Sequence, residues 1–111
     1  MIEESRADGR IMVQVVLPSH LRILAGTGRS VEVALGPIAT LGELLDAIEE
    51  QFPAIAGTIR DPATGRRRPL LRFFVGQEDF SELDPNSVLP ESVLTRQEPF
   101  VVIGSIAGGW A

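Results

Sequence analysis

The sequence has no cysteine and a single histidine among its 111 residues. The missing cysteines exclude disulfides and thiolate chemistry, so the fold must be held together by packing alone. One histidine also makes most metal sites and acid–base triads hard to build. Because no set of nucleophile and base is visible, a stand-alone enzyme is the least favoured class of protein.

An excess of basic residues and a long apolar run are missing as well. The formal net charge of −5 argues against a nucleic-acid binder, which needs a basic surface to displace counterions. No run approaches the roughly 18 apolar residues of a membrane helix. The acidic start, Met1–Ser5, lacks the hydrophobic core of a signal peptide. We therefore expect a cytoplasmic protein that binds neither nucleic acid nor a membrane.

Hydrophobic residues make up 44% of the chain, which is enough for one globular core at this length. The composition divides the chain into three regions. Residues 1–10 are polar and predict a flexible leader, and residues 11–104 predict the folded domain. Residues 105–111 are small and rich in glycine, which predicts a flexible C-terminal tail.

Short β-branched segments with alternating polarity predict four strands, at residues 11–17, 31–35, 70–75 and 100–103. The first two are expected to pair as a hairpin across a long, turn-rich connection. The last is almost entirely apolar, which is typical of a central strand. The polar stretch from 77 to 97 predicts a loop with short pieces of regular structure.

The clearest helix signal begins at Thr40, a good N-cap, with Glu43 three residues later completing a capping box. Pro53 ends the helix. Its apolar residues have helical spacing and form one stripe: Leu41, Leu44, Leu45, Ile48 and Phe52. Ile55 and Ile59 predict a short helical turn closing the same core. The fold class is therefore α+β, a mixed sheet of four to five strands with one main helix packed on one face.

This order of elements, followed by Gly108-Gly109, resembles the ubiquitin-like β-grasp fold. The chain is most similar to the MoaD/ThiS-type sulfur carriers, in particular their CysO-like members. Each matching motif is short, and their joint order carries the likeness. The matching segments are residues 17–22, 24–26, 40–48, 52–53, 59–61, 74–79 and 106–109.

The resemblance implies a carrier that is a substrate of partner enzymes and binds no cofactor itself. A ubiquitin-activating-type (MoeB/ThiF-like) adenylyltransferase would use ATP and Mg²⁺ to adenylate Gly109. Sulfur would replace the adenylate, and the thiocarboxylate would supply a sulfur-accepting synthase in biosynthesis. Ala107 and Gly108 would complete the tail. Glycines suit a narrow channel because they lack side chains, and residues 105–109 span roughly 16 Å when fully extended.

Two features depart from this family. The family usually ends at the second glycine, whereas here Trp110 and Ala111 follow Gly109. The Gly109–Trp110 bond is therefore the expected cleavage site, and some family members are matured there by a JAMM-type zinc peptidase. The family also has an acidic-Gly turn before its last strand, which residues 94–99 lack.

The second face of the sheet is the expected partner surface, because one helix covers only the first face. Either Phe100/Val102 or Val101/Ile103 would share this second face. Such an apolar set often marks a partner site; the alternative is that the loop from 77 to 97 covers it. The predicted partner-surface residues are Met12, Val16, Leu70, Arg72 and Phe74.

Other polar residues have plainer interpretations. We expect His20 to be a solvated turn residue and residues 66–68, three arginines, to be a solvated turn, with docking on an acidic partner as the alternative for the arginines. Glu78 and Asp79 are expected to form a polar turn.

Two other functions stay open at this point. One is a ubiquitin-like protein modifier joined through Gly109 to a lysine. The other is a β-grasp interaction module that makes no use of its tail.

Overall fold

The computed structural model describes residues 10–106 and 109–110, the residues from 105 onward by their backbone alone. The leader, apart from Arg10, therefore lies outside the described residues, as do Ala107, Gly108 and Ala111. The described chain forms strands β1 (Ile11–Val16), β2 (Ser30–Leu35), β3 (Leu71–Val75), β4 (Glu78–Asp79), β5 (Phe100–Ile106) and β6 (Gly109–Trp110). Its helices are α1 (Ser19–Ala25), α2 (Leu41–Gln51) and α3 (Glu91–Leu94), with a 3-10 turn at Pro53–Ile55.

The strands form one mixed sheet in the order β2-β1-β5-β3-β4, with β6 paired to β5. The expected hairpin is confirmed, since β1 and β2 pair antiparallel from Ile11↔Leu35 to Val16↔Ser30. The central position of the last strand is also confirmed. β5 runs parallel to β1 and antiparallel to β3. Side chains alternate between buried and half-buried along β1, β3 and β5, so one face meets the core.

Helix α2 begins as its sequence predicts. The Glu43 backbone N–H donates to the Thr40 hydroxyl at 3.1 Å, and the Thr40 N–H donates to the Glu43 carboxylate at 2.8 Å. This reciprocal pair satisfies two of the helix's unpaired donors. Leu44 and Ile48 are fully buried, and Pro53 opens the 3-10 turn directly after the helix.

A single hydrophobic cluster lies between the sheet and the helices. Phe73 of β3 and Phe100 of β5 pack in it with ring centroids 5.2 Å apart. Ile55 and Ile59 are fully buried, as the sequence predicts. Leu89 and Val93 also join this cluster, so buried residues of the loop from 77 to 97 pack into the core.

Helix α1 is a shorter helix that the sequence does not predict, in addition to the main helix α2. The segment after Pro18 was expected to be a turn, but residues 19–25 form two helical turns that end at Gly26, whose φ is 69°. Glycine adopts this left-handed conformation without strain. The sequence conceals α1 because Leu21 is its only buried residue, so the helix has no apolar stripe.

One residue of the loop before β5 has a left-handed backbone conformation, although this loop contains no glycine. Arg96 has a φ of 66°, which costs a non-glycine residue free energy. Its guanidinium bonds the Glu32 carboxylate of β2 at 2.6 Å. This ion pair ties the loop before β5 to the far edge of the sheet.

Candidate functional site

The predicted reaction centre, Gly109, follows the central strand of the sheet. β5 continues through residues 105 and 106, past the predicted boundary at 104. β6 pairs antiparallel with β5 through Ile106↔Gly109 and Ser105↔Trp110. The main chain of Gly109 therefore lies opposite Ile106, and the Gly109–Trp110 bond lies within a paired strand.

The root of the tail is Gly104, a buried residue where β5 leaves the body of the domain. A Cβ placed on Gly104 would lie 2.4 Å from Cε1 of His20, far inside van der Waals contact. The imidazole of α1 therefore packs directly on the Gly104 backbone, and only glycine leaves room for it. The interpretation of His20 as a solvated turn residue is wrong. The ring is half-buried in a helix, and its Nδ1 is buried without a hydrogen-bond partner.

The structure brings part of the predicted partner surface together on the second sheet face. Val16 and Phe74 both pair with Val101, and Arg72 pairs with Ile103. These side chains are half-buried, whereas Phe100 and Val102 point into the core. Val101 and Ile103 are thus the β5 members of this face.

Met12 and Leu70 lie apart from that group. Met12 pairs with Ala34 near the other end of β1, beyond the two residue pairs that join β1 to β5. Leu70 precedes β3 instead of opening it and is 62% exposed. The residue after it, Leu71, pairs with Gly104, which places Leu70 beside the root of the tail.

Arg72 is held by an ion pair, because its Nη2 lies 2.6 Å from Oδ2 of Asp79. Hydrogen bonds from Ser81 and then from Arg72 lower the pKa of Asp79 to about 2. Arg72 is therefore one member of a charge pair with Asp79. The expected polar turn at Glu78 and Asp79 is the short strand β4, with both residues exposed.

The arginines at 66–68 do not form a uniformly solvated turn. The Arg67 side chain is 16% exposed, and its guanidinium donates to the carbonyls of Ser81 and Leu71 at 2.9 and 2.6 Å. Arg68 donates to the Gly57 carbonyl. Arg60 has a similar structural role, since its hydrogen bonds to Glu49 and Asp46 of α2 raise its pKa.

Metal ligands are not gathered anywhere in the part of the chain that the structure describes, where no group of three His, Cys, Asp or Glu could hold an ion. Among residues 10–106 and 109–110, no helix is long and apolar enough to cross a membrane.

No family model matches the sequence, and no curated protein sequence matches it either. Solved structures do match. Small archaeal modifier protein 1 (SAMP1) from Haloferax volcanii superposes with a TM-score of 0.70 at 19% identity, covering 89% of this chain and 100% of its own. CysO of Amycolatopsis orientalis, crystallised as a BexX/CysO complex, gives a TM-score of 0.68 at 22% identity over 87% of this chain and 99% of its own. CysO of Mycobacterium tuberculosis gives a TM-score of 0.65 at 21% identity, over 85% of this chain and 99% of its own.

These matches confirm the predicted fold class. The chain has the β-grasp fold, and it shares that fold with CysO and with small archaeal modifier protein 1 over nearly the whole length of those proteins. CysO of Amycolatopsis orientalis is itself seen in complex with another protein.

Proposed function

We propose that this chain is the precursor of a ubiquitin-like sulfur carrier of the MoaD/ThiS type, similar to its CysO-like members. One observation carries the proposal. The central strand of a β-grasp domain leads directly into Gly108-Gly109, the position that the family's chemistry requires. The protein acts as the substrate of partner enzymes, and the reacting atom is the main-chain carbonyl carbon of Gly109.

The proposed chemistry begins with hydrolysis, because Gly109 is an internal residue in this sequence. A JAMM-type zinc peptidase adds water across the Gly109–Trp110 bond, which releases Trp110-Ala111 and leaves a carboxylate on Gly109. A carboxylate is a poor electrophile because its oxygen leaves poorly. The MoeB/ThiF-like enzyme therefore lets a carboxylate oxygen attack the α-phosphate of ATP, and pyrophosphate leaves. Sulfide then attacks the carbonyl carbon, AMP leaves, and Gly109 carries a thiocarboxylate. A persulfide donor would instead form an acyl disulfide as AMP leaves, and a second thiol would then attack the donor's sulfur, which forms a new disulfide and releases the thiocarboxylate.

The backbone pairing gives Trp110 a second role in this proposal. As long as Trp110 pairs with Ser105, Gly109 is held opposite Ile106. Removal of residues 110 and 111 deletes one of the two residue pairs of this hairpin. Processing would thus create the carboxylate and also release the tail to its extended reach of roughly 16 Å.

Intact-mass spectrometry of the protein purified from its native host tests the proposal. We expect a species ending at Gly109, together with a heavier form in which sulfur replaces one terminal oxygen. If all of the protein retained Trp110-Ala111, the carrier function would be contradicted. Chain expressed without the peptidase is the matched control and should retain both residues.

The second candidate function is a ubiquitin-like protein modifier, which the matches to small archaeal modifier protein 1 favour. It requires the same processing and adenylation, but a lysine amine replaces sulfur as the nucleophile and forms an isopeptide bond. Antibody blots of host lysate distinguish the two functions. A ladder of higher-mass conjugates that disappears when Gly109 is deleted supports the modifier, and its absence together with a thiocarboxylate supports the carrier.

The proposed partner surface on the second sheet face centres on Val16, Phe74 and Arg72. Replacing Phe74 with serine should weaken binding to a partner enzyme, because a half-buried aromatic side chain supplies much of the apolar area that such a contact buries. Binding measured by calorimetry should fall while the far-UV spectrum is retained. Unchanged binding would argue against this face.

A further inference from the structure

The outer edge of strand β2 presents main-chain groups to its surroundings. Among the residues that the structure describes, β2 is the last strand of the sheet and pairs with β1 alone. The Leu17 N–H donates to the Arg29 carbonyl at 3.0 Å, which makes these two residues a hydrogen-bonded pair at the start of the ladder. Such pairs alternate along antiparallel strands, so residues 30, 32 and 34 direct their N–H and C=O groups away from β1.

The side chain of Gln51 closes only part of this edge. Gln51 is the last residue of α2, and its Nε2 donates to the Glu32 carbonyl at 3.0 Å. This bond agrees with the outward direction that the register assigns to Glu32. No strand of the described residues pairs with Ala34 from the same side. The N–H and the C=O of Ala34 are therefore open to an added strand.

The open part of the edge borders a groove of about 420 Å³ between the end of β2 and helix α2. The residues that α2 contributes to it are three or four positions apart, so they form one stripe of the helix: Glu43, Asp46, Ala47 and Glu50. Ile38 lies in the same groove and is 76% exposed. We refer to this depression, with Ala34 on its strand side, as the β2 groove.

The β2 groove is acidic. Its lining contains three carboxylates, Glu43, Asp46 and Glu50, and one guanidinium, that of Arg10. Arg60 lies 2.6 Å from Asp46, whereas Glu43 and Glu50 are exposed. A partner with basic side chains would complement this charge. A second copy of the chain, paired edge to edge, would bring two acidic grooves together.

We propose that the β2 groove binds an extended, basic segment of a partner protein, which adds to the sheet as a strand beside β2. Hydrogen bonds to the main chain of Ala34 would supply the pairing, and every second side chain of the segment would point towards α2. Lysine or arginine at those positions meets Glu43 and Glu50. An apolar residue of the segment covers Ile38.

This binding site lies at the end of the sheet opposite to the tail. Leu35, at the end of β2, pairs with Ile11, the first residue of β1. The other end of β1 runs parallel to β5 through Val16↔Val101, and β5 continues from there towards the tail. A segment in the β2 groove therefore leaves the tail accessible. The proposal goes beyond the proposed function and does not depend on any reaction at Gly109.

The test uses the full chain and a peptide of about eight residues, the length of an ordinary strand, in which lysine and valine alternate. A peptide of alternating glutamate and valine is the control. In NMR titrations, the lysine peptide should shift the amide signals of Ala34, Ala47 and Glu50 and give cross-strand NOEs to β2. Its binding should weaken in about 0.5 M salt, because exposed charges are then screened. The glutamate peptide should leave these signals unchanged.

Two variants separate the pairing from the charge. Ala34→Pro removes an outward N–H without removing a bond to β1, and proline is tolerated at a sheet edge, so we expect Kd for the lysine peptide to rise about tenfold. Glu50→Lys should raise Kd about fivefold. Glu78→Lys is the matched control, because Glu78 is an exposed glutamate on β4, at the other edge of the sheet. Its Kd should equal that of the parent chain.

Thermal unfolding of each variant establishes that it is folded before its Kd is compared. If Ala34→Pro does not fold, Glu50→Lys and the NOEs to β2 still decide the outcome. Equal Kd values for Glu50→Lys, Glu78→Lys and the parent chain would overturn the proposal. A dimer in sedimentation that the lysine peptide does not dissociate, with β2 in its interface, would assign this edge to a second copy and would also overturn it.

Discussion

Gly104 illustrates how one residue can connect two elements. An extended strand tolerates almost any side chain, and a glycine there loses conformational entropy without contributing contacts. The reason for glycine at this position is the imidazole of His20, which occupies the space of a Cβ. The pairing was not visible in the sequence because the two residues are far apart along the chain and belong to no shared motif.

Replacing Gly104 with alanine should lower the free energy of unfolding by about 1–3 kcal/mol, because the new Cβ would overlap His20. Urea denaturation measures this loss. The double variant His20→Ala/Gly104→Ala should recover part of it, since the overlap is gone. Gly28→Ala is the control: a Cβ there meets nothing within 4 Å, so its effect should stay within about 0.5 kcal/mol. Equal losses for Gly104→Ala alone and with His20→Ala would contradict the contact.

Asp79 gives a pH-dependent prediction at the same scale. Its pKa is lowered in the folded state, so the ionised carboxylate stabilises the fold. This stabilisation is present at pH values above the ordinary pKa of 3.8 and is lost as pH falls towards about 2. An NMR titration of the carboxyl carbon should give a midpoint near 2. In Arg72→Gln the midpoint should rise but remain below 3.8, because the Ser81 hydrogen bonds are the larger cause. A full return to 3.8 would show that Arg72 alone lowers this pKa.

At the scale of elements, the sequence around Thr40 predicts helix α2, whereas the sequence around Ser19 does not predict helix α1. Helix α2 carries a cap, an apolar stripe and a proline stop, all of which are local signals. Helix α1 has no side-chain cap and one buried residue, and the packing of His20 on Gly104 adds a contact that is distant in sequence. Local patterns therefore predicted the sheet and its main helix, whereas the surroundings of the tail root depended on tertiary contacts.

The capping box supplies a stability prediction for α2. Thr40→Ala removes the hydroxyl that accepts from the Glu43 N–H and should cost about 1 kcal/mol in chemical denaturation. The double variant Thr40→Ala/Glu43→Ala should lose less free energy of unfolding than the sum of the losses in the two single variants. The reason is that the two hydrogen bonds form one reciprocal unit. Strict additivity would show that the two bonds act separately.

The β5–β6 hairpin supplies a prediction about processing. In a chain ending at Gly109, the Ser105↔Trp110 pair is lost. Hydrogen exchange at the amides of residues 105 and 106 should then be roughly tenfold faster or more than in the full chain, because an isolated residue pair opens with little free energy. The Val102 amide is the internal control, since it lies in the ladder between β3 and β5. Equal exchange at 105 and 106 in both chains would contradict a role for Trp110 in holding the tail.

At the scale of the whole molecule, stability and function are separated along the chain. Among residues 10–104, whose burial the structure describes, the hydrophobic core extends from Val13 to Val102, and the proposed reaction lies further along the chain at Gly109. A carrier benefits from this separation because an enzyme can enclose the tail without disturbing the domain. It also means that the fold by itself does not distinguish a carrier from an interaction module.

Two truncations distinguish these functions in the native host. The chain ending at Gly109 keeps the proposed reacting carboxylate and needs no peptidase, so we expect it to sustain biosynthesis even when the peptidase is deleted. The chain ending at Ala107 lacks both glycines and should fail. Both should unfold near the temperature of the full chain, because both keep all the core residues that the structure describes, from Val13 to Val102. If the chain ending at Ala107 still sustained function, the tail would have no chemical role, and the sheet face around Val16 and Phe74 would become the working surface of an interaction module.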